Sequence, residues 1–375
     1  MNILLAVTNM TAANGGVTTH IIDLCRELCR REHKVVLLSD ENNCDYQKGI
    51  EALKKSPFFL FVHCNMVDIL FNPKRLLSAV NFVSSVVQKE KIEIIHVHSQ
   101  SLCIIGACVK VRTGVPYIWT NHIDEMANPK LFGKVLRLLH FPIISVSSDL
   151  KQMLIKEFKV NEKRITVINN GINPENFPPL DDLEKAELRK KFDCEGKYTI
   201  GLLARMSYGK GHMYLLEAVN KLQKEKKVSN IKVLIAGKLH EGEKDYLKSL
   251  QDFADVHQVD MEFLGFQNPR DVFGICNIST LPSIFEGFGL TVIESLIMAC
   301  PVIRSDTPGW IDTKDISLVF KKRDVDGFAE HLYYAYTHPL EMKNMGKKGK
   351  EIVLSKFTIK NQVDKTIDVY KKYME

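Results

Sequence analysis

The chain has 375 residues, of which 45% are hydrophobic and 26% are charged, and its formal net charge is +6. The length fits two large domains at roughly 150 residues per domain, and the composition is that of a globular protein. It excludes a mainly disordered chain, because this much apolar surface can offset the chain entropy lost on folding. No segment reaches the roughly 20 apolar residues of a membrane span. The net charge is too small to indicate a nucleic-acid partner, and the sequence has no arginine-rich stripe interleaved with aromatic residues.

The first residues, Met1–Thr8, form a short apolar run without a basic flank. They predict a buried strand rather than a secretory signal peptide. The nine cysteines are scattered, and no two of them form a CxxC pair. We therefore expect a cytoplasmic chain without disulfides or a cysteine-bound metal.

Short apolar runs then alternate with amphipathic segments such as Val17–Arg31, Lys74–Gln88 and Ser147–Phe158. The runs do not alternate between polar and apolar residues, which is typical of strands covered on both faces. Such repeated β-α-β units predict a doubly wound parallel sheet. The strands predicted in this half are Asn2–Thr8, Lys34–Ser39, Phe58–His63, Glu93–Val97, Pro116–Thr120, Pro142–Ser147 and Arg164–Ile168.

The alternation of strands and helices is interrupted at Asn173–Pro179, where three prolines in seven residues exclude a helix interior or a central strand. We predict two Rossmann-like domains, residues 1–177 and 178–355, followed by a helix within 356–375 that packs back on the first domain or stays with the second. Ligands of doubly wound sheets bind outside the carboxyl ends of the strands, so the site is expected in the loops that follow strands. The strands predicted in the second domain are Tyr198–Leu203, Lys232–Ala236, Met261–Leu264, Ile278–Leu281 and Val302–Ser305.

The loop after the first strand carries Gly15 and Gly16 and leads into a helix. Paired glycines there let the backbone approach a phosphate, although a plain tight turn is an equal alternative. The GxGxxG and GxxxxGK[ST] patterns are absent, which argues against a dinucleotide enzyme and a P-loop ATPase.

In the second half, Arg205 and Lys210 lie five residues apart in a glycine-framed loop after a strand. Two cations in one place can neutralise a diphosphate without a metal ion, whereas the alternative is a solvated loop with two ordinary basic residues.

The most informative segment runs from Ser283 to Ser295, where a strand is followed by a glycine-rich loop and a helix that starts near Leu290. Glu286 is expected in the loop and Glu294 in the helix. The first N–H groups of this helix, from Phe288 to Thr291, suit sugar hydroxyls or phosphate oxygens. For either glutamate taken alone, a helix cap or a surface residue of a helix is the favoured alternative.

The run EGFGLTVIES resembles the E-x7-E signature of the retaining nucleotide-sugar glycosyltransferases of family 4, which have the GT-B fold. Three more segments match this family in the expected order: NGGVTTHI at 14–21, VINNGIN at 167–173 and ARMSYGKG at 204–211. Ala299 stands where the family usually has glycine, a packing detail. The resemblance implies an α/β protein in which two Rossmann-like doubly wound domains face each other across a cleft.

The resemblance also implies a role for each matched residue. Arg205 and Lys210 would hold the donor diphosphate, Glu294 the ribose and Glu286 the donor sugar. His122 falls where the family often has a histidine near the sugar hydroxyls, but a structural histidine is an equal alternative, and Asn170 and Gly171 are weaker candidates. The implied catalytic residues are Glu286, Arg205, Lys210 and His122, and the implied donor-binding residues are Gly15, Gly16, Arg205, Lys210, Glu286, Gly287, Phe288, Gly289, Leu290 and Glu294.

From these roles we expect a retaining hexosyltransferase that takes its sugar from a nucleotide-diphosphate sugar, with UDP favoured by family frequency alone. It would need neither a cofactor nor a metal. The acceptor would be a sugar or a lipid-linked sugar in cell-surface polysaccharide or glycolipid assembly. Asp124 is the nearest candidate for a carboxylate nucleophile, but nothing in the sequence fixes its position, so a front-face route fits better. The rivals are an epimerase or phosphorylase of the same fold and a non-catalytic sugar-binding protein.

The predicted helix that begins at Pro129 places Lys130, Lys134 and Arg137 among leucines. A basic amphipathic helix of this kind can lie on an anionic membrane surface, which would make a cytoplasmic enzyme peripheral to the inner face of the membrane. Docking of the helix on its own sheet is the favoured alternative, because every Rossmann helix needs an apolar stripe.

Overall fold

The computed structural model describes residues 1–10, 15–40, 47–65, 72–123 and 129–375. They form two compact units, which are treated separately below: Met1–Asn170 with Ile359–Glu375 is unit 1, and Gly171–Thr358 is unit 2. Asp124 and residues 11–14 of the first glycine loop lie outside the described residues. A helix with the length and apolar composition of a membrane span is absent from the described part of the chain.

Unit 1 is built on a parallel sheet whose seven described strands have the order β3-β2-β1-β4-β5-β6-β7. The apolar runs are buried on both faces, as expected for such a sheet. Along the first strand, Leu4 and Ala6 pack into one core cluster, while Ile3 and Leu5 pack into the other. The strands are β1 (Asn2–Asn9), β2 (Lys34–Asp40), β3 (Phe59–His63), β4 (Ile94–Val97), β5 (Tyr117–Asn121), β6 (Ile143–Ser145) and β7 (Ile165–Val167).

The helices of unit 1 cover this sheet and follow the sequence signals closely. Asn72 caps the third helix by accepting from the N–H groups of Lys74 and Arg75, and Ser147 caps the sixth by accepting from Leu150 N–H. The helices are α1 (Gly15–Arg30), α2 (Gln47–Lys54), α3 (Pro73–Lys89), α4 (Leu102–Thr113), α5 (Pro129–Leu138), α6 (Ser148–Lys156) and, from the end of the chain, α15 (Ile359–Met374).

Unit 2 has a second parallel sheet, whose described strands have the order β10-β9-β8-β11-β12-β13. Both faces are again covered, which confirms the predicted α/β class with two doubly wound parallel sheets. The strands are β8 (Tyr198–Leu203), β9 (Ile231–Ala236), β10 (Met261–Phe263), β11 (Ile278–Leu281), β12 (Val302–Ser305) and β13 (Leu318–Phe320). The helices are α7 (Asp182–Lys191), α8 (His212–Glu225), α9 (Lys244–His257), α10 (Pro269–Phe273), α11 (Leu290–Ile297), α12 (Trp310–Thr313), α13 (Val325–Thr337) and α14 (Pro339–Lys356).

The division between the units falls at Asn170 rather than at the predicted residue 177. Ile172 explains the difference, because its N–H donates to the carbonyl of Phe357 at 3.0 Å and it forms a single parallel β-bridge with Thr358. These contacts attach the proline-rich segment to unit 2.

The C-terminal helix α15 belongs to unit 1. Val363 and Ile367 pack in the same core cluster as Ile3, and Arg31 Nη1 lies 2.5 Å from Asp364 Oδ1. The end of the chain therefore helps to complete the core of the first unit.

Candidate active site

The strand order of unit 2 reverses direction between β8 and β11. In doubly wound sheets the loops that follow the two strands at such a reversal form the ligand-binding crevice. Here these loops are residues 204–211 and 282–289, which contain Arg205, Lys210 and Glu286. The topology thus brings together two segments that are far apart in the sequence.

Direct contacts fix these two loops against each other. Ile284 N–H donates to the carbonyl of Gly209 at 2.8 Å. Gly211 has φ +73°, and a Cβ added there would lie 2.0 Å from the carbonyl oxygen of Pro282. Glycine is therefore required at position 211, both for its backbone conformation and for the close approach of the second loop.

A buried ion pair joins the loops at their centre. Lys210 Nζ lies 2.5 Å from Glu286 Oε1, and the two side chains are only 23% and 11% exposed. Ser283 Oγ donates to the same oxygen at 2.9 Å, which leaves Oε2 without a hydrogen-bond partner among the described residues. Burial by itself raises the pKa of Glu286, but the Lys210 ammonium and these hydrogen bonds outweigh it and hold the pKa below its ordinary value. Glu286 is consequently ionised at neutral pH.

Arg205 lies on the same loop as Lys210 and is partly exposed. Within the described part of the chain its guanidinium has no ion pair and no side-chain hydrogen bond, so its donors are available to a ligand. An arginine fork suits phosphate oxygens, and the Lys210 ammonium adds a second positive charge.

The two helices that start at this reversal lack side-chain caps. α8 begins after Gly211 and α11 after Gly289, both in the left-handed conformation, and neither start has a side-chain hydrogen bond. Elsewhere in unit 2, α7, α10 and α13 are capped by Asp181, Asn268 and Asp324, whereas α9, α12 and α14 also begin without a side-chain cap. The first N–H groups of α8 and α11 are therefore left for an anion or a polar ligand.

The remaining predicted donor-binding residues of unit 2 continue from this loop into α11. Gly287, Phe288 and Gly289 complete the loop, Leu290 is the first residue of the helix, and Glu294 lies in it, half-buried. The structure thus separates the two glutamates of the signature, with one in the loop and one in the helix.

Sequence reasoning missed Arg304, which ends β12 and is completely buried. Its guanidinium donates to the carbonyl of Phe288 at 3.2 Å and to Thr313 Oγ1 at 3.1 Å, and it also binds the carbonyls of Thr307 and Pro308. It therefore ties the Glu286 loop to the segment after β12. The only signal in the sequence was a cation inside an apolar strand, in the run PVIRS.

In unit 1, the strand order reverses between β1 and β4, and three histidines lie at this edge. His20 is in α1, His98 follows β4 and His122 follows β5. His98 Nδ1 lies 2.9 Å from His122 Nε2, and the His20 and His122 ring centres are 4.9 Å apart. Sequence analysis singled out His122 alone.

Burial lowers the pKa of all three imidazoles: His20 to about 4, and His98 and His122 well below the ordinary value. They are neutral at pH 7. A neutral imidazole donates one hydrogen bond from its protonated nitrogen and accepts one at the other, which suits uncharged hydroxyl groups. Gly15 and Gly16 occupy the first two positions of α1 in the same unit.

Helix α5 presents two different faces. Phe132 and Leu136 are buried, whereas Leu131 and Leu138 are 58% and 75% exposed. The predicted surface cations lie on the exposed side, and one of them donates from its guanidinium to the carbonyl of Phe158 at 3.1 Å. These cations are Lys130, Lys134 and Arg137.

Comparison with known families decides the identity. The family profile described as Glycosyltransferase Family 4 matches residues 14–176, and the profile described as Glycosyl transferases group 1 matches residues 184–352. The chain belongs to glycosyltransferase family 4. The family predicted from the sequence is thereby confirmed.

Relatives and solved structures agree with this glycosyltransferase assignment. The UDP-Gal:alpha-D-GlcNAc-diphosphoundecaprenol alpha-1,3-galactosyltransferase of Escherichia coli is 24% identical, over 84% of this chain and 83% of the relative. The crystal structure of a glycosyltransferase from Rickettsia africae has a TM-score of 0.88 at 21% identity, over 100% of this chain and 98% of that chain. The structure of HepE from Anabaena in complex with UDP and glucose has a TM-score of 0.81 at 15% identity, over 99% and 100% of the two chains. The predicted GT-B fold is confirmed.

Proposed function

We propose that this glycosyltransferase moves a hexose from a nucleotide-diphosphate sugar to a sugar or lipid-linked acceptor with retention of anomeric configuration. UDP is the favoured nucleotide, since the Escherichia coli relative is named for UDP-Gal and the HepE complex contains UDP. The same relative is named for a diphosphoundecaprenol acceptor. We assign the reaction to the assembly of a cell-surface polysaccharide or glycolipid in the cytoplasm.

One observation carries this proposal: the charged loops at the strand reversal of unit 2. Arg205 and Lys210 supply two cations, and the uncapped starts of α8 and α11 supply backbone N–H donors. This set of donors matches a diphosphate, which carries its charge on several oxygens.

The reaction follows from these roles. The bond between the anomeric carbon and the diphosphate oxygen breaks, and its electron pair stays on the phosphate. The acceptor hydroxyl oxygen forms the new bond to the anomeric carbon, and its proton passes to the departing phosphate. Arg205 and Lys210 stabilise the charge that grows on the diphosphate, an electrostatic role worth about 3 kcal/mol for each well-placed donor. No divalent ion is needed for this step.

The glutamates and His122 bind the neutral parts of the donor. Glu286 keeps one carboxylate oxygen for a sugar hydroxyl, with the backbone from Gly287 to Leu290 beside it. Glu294 accepts from the ribose hydroxyls. In unit 1, His122 binds an outer hydroxyl of the sugar, and the backbone at Gly15 and Gly16 serves the diphosphate.

Retention is tested by the anomer of the first product. Since Asp124 lies outside the described residues, the structure supplies no argument for a covalent intermediate on it. NMR of the product formed in the first turnovers is expected to show the anomeric configuration of the donor. The opposite anomer would end the claim of retention.

On the acceptor side, we propose that the exposed face of α5 contacts an anionic membrane. Two exposed leucines beside three cations fit a surface that is apolar below its charged headgroups. Replacement of Lys130, Lys134 and Arg137 by alanine is expected to weaken co-sedimentation with phosphatidylglycerol vesicles at least tenfold. Equal binding of wild type and variant would refute this contact.

Donor class and reaction type are tested together. A thermal-shift panel of nucleoside diphosphates and their sugars identifies the donor, because a ligand that binds only the folded state raises its melting temperature. With this donor, release of free nucleoside diphosphate is expected only when an acceptor is present. Product formation without an acceptor would favour an epimerase, dependence on free phosphate a phosphorylase, and binding without turnover a sugar-binding protein.

A further inference from the structure

Unit 1 contains a cluster of buried histidines that the transfer reaction does not use as a whole. His20, His98 and His122 each offer a ring nitrogen, and these three nitrogens all lie within 4.8 Å of one another. His20 and His98 are 3% and 5% exposed. Three imidazoles from three different elements, α1 and the segments after β4 and β5, thus converge at one edge of the sheet.

The spacing is close to that of a metal-binding triad. In a tetrahedral site with metal–nitrogen distances of about 2.0–2.1 Å, neighbouring ligand nitrogens lie about 3.3 Å apart. The separation of 2.9 Å between His98 Nδ1 and His122 Nε2 is near this value. The His20 nitrogen lies within 4.8 Å of both of the others.

Two ring nitrogens in the cluster have no partner. His20 Nε2 and His98 Nε2 are buried and form no hydrogen bond among the described residues. An unsatisfied buried polar atom of this kind destabilises the folded state. A bound ion would satisfy His20 Nε2, so this nitrogen is an observation that points to a ligand independently of the spacing.

Neighbouring groups hold the rings in orientation. The side-chain amide of Gln362 lies 3.0 Å from His20 Nδ1. Behind His98, the His96 ring centre is 4.1 Å away, and His96 itself contacts Tyr370 and Thr120 at 2.6 and 2.5 Å. Metal-binding histidines are oriented by such contacts at the nitrogen that does not bind the ion. Since Gln362 and Tyr370 lie in α15, the C-terminal helix supports the cluster.

We propose that His20, His98 and His122 form a binding site for a divalent transition-metal ion of the zinc, cobalt and nickel class. Three neutral imidazoles without a carboxylate favour these ions over magnesium and calcium, which prefer oxygen ligands. The ion takes no part in the transfer step. Because it occupies His122, it inhibits transfer, and this inhibitory part rests on the function proposed above for His122.

Binding is tested on the full chain, stripped of metal with a chelator and studied without donor or acceptor. Titration with Co²⁺, followed by calorimetry and by the d–d absorption of the ion, is expected to show one ion per chain in a tetrahedral environment. The variants His20→Gln, His98→Gln and His122→Gln are each expected to bind at least tenfold more weakly. His140→Asn is the matched control, since His140 is an exposed histidine of the same unit with φ +42°, which asparagine tolerates.

The proposal is overturned if wild type takes up no stoichiometric Co²⁺, or if all three variants bind as tightly as the control. Circular dichroism checks the fold, and if a ligand variant does not fold, Gln362→Leu replaces it, with an expected loss of about tenfold. Inhibition is then measured with Zn²⁺, which should slow transfer by wild type and by His140→Asn but not by His20→Gln. Binding of the ion is measured without substrates, so a failure to bind would leave the proposed transferase function untouched. In the same way, failure of the transferase assay would leave the binding result untouched.

Discussion

The two units have the same kind of sheet but opposite chemistry at the edge where the strand order reverses. In unit 2 this edge carries full charges, with Lys210 and Glu286 paired and Arg205 unpaired among the described residues. In unit 1 the corresponding edge carries imidazoles that burial keeps neutral, among them His98 and His122. The difference shows how one architecture can prepare a site for an anion in one unit and for uncharged groups in the other.

Among the predictions that test this contrast, removal of the two cations of unit 2 is expected to have the largest effect. The double variant Arg205→Ala with Lys210→Ala is expected to lower kcat at least 10³-fold, because each lost donor to a developing oxyanion costs about 10²–10³-fold. Steady-state release of nucleoside diphosphate in the presence of acceptor measures it. Lys221→Ala is the matched control, because this lysine of α8 forms ion pairs with the exposed carboxylates of Glu225 and Asp326. A double variant with near wild-type kcat would refute the role of the charged edge.

Loss of Arg304 is expected to have the next largest effect, on stability rather than on chemistry. Arg304→Met leaves the carbonyls of Phe288 and Thr307 without their buried donor, which should destabilise unit 2 by about 3–5 kcal/mol. The chain has two tryptophans, Trp119 in unit 1 and Trp310 in unit 2. In a Trp119→Phe background, Trp310 fluorescence during urea unfolding therefore reports on unit 2.

The control for this stability test is Arg323→Asn, at an exposed position with φ +69° that asparagine accepts. It should leave the unfolding midpoint unchanged. If Arg304→Met unfolds at the same urea concentration as this control, Arg304 does not tie the loop to unit 2.

Acid should weaken unit 2 through His212, the first residue of α8. Burial, with a smaller contribution from the nearby Lys210 charge, lowers its pKa to about 4, and its ring also faces Tyr246. Between pH 6.5 and about 4 the unfolded chain binds the proton and the folded chain does not. The stabilisation is complete above pH 6.5 and falls by about 3 kcal/mol as the pH drops towards 4.

The same Trp310 signal, recorded in urea at several pH values, measures this dependence. His212→Gln should flatten it, whereas His338→Gln, at an exposed position of unit 2, should not. Identical pH profiles for wild type and His212→Gln would show that this imidazole is not the group responsible.

The smallest expected effect concerns the orientation of Glu286. Ser283→Ala removes one hydrogen bond to Oε1 and keeps the Lys210 pair, so transfer should slow about fivefold, the equivalent of about 1 kcal/mol. The kcat/KM for the donor measures this change. Ser249→Ala, which removes an exposed hydroxyl bonded to its own helix, is the control and should have no effect. An unchanged kcat/KM would mean that Lys210 alone orients the carboxylate.

Much of the fold could be predicted from the sequence because parallel strands are local apolar runs. The strand predicted at Ile278–Leu281 has these bounds in the structure, and Phe58–His63 is shorter by one residue. The three-residue strand β13 (Leu318–Phe320) was not predicted. The boundary at Asn170 depends on the contact of Ile172 with Phe357, which no local pattern reveals.

The loops that form the candidate site could be predicted from the sequence, but the contacts between them could not. Family resemblance pointed to Lys210 and Glu286 separately, whereas their ion pair joins positions 76 residues apart. Arg304 could not be assigned, because its partners are backbone carbonyls and the Thr313 hydroxyl. Of the histidine cluster, only His122 followed a recognised pattern, and His20 and His98 were hidden inside a predicted helix and at the end of a predicted strand.

Calorimetric binding of the nucleoside diphosphate in excess EDTA tests the central claim most directly, namely that side chains and not a divalent ion hold the diphosphate. The account predicts that wild type binds UDP much more tightly than uridine under these conditions, and that the double variant of Arg205 and Lys210 loses this preference. The account would be contradicted if EDTA abolished UDP binding by wild type, or if the double variant kept the full preference for UDP over uridine.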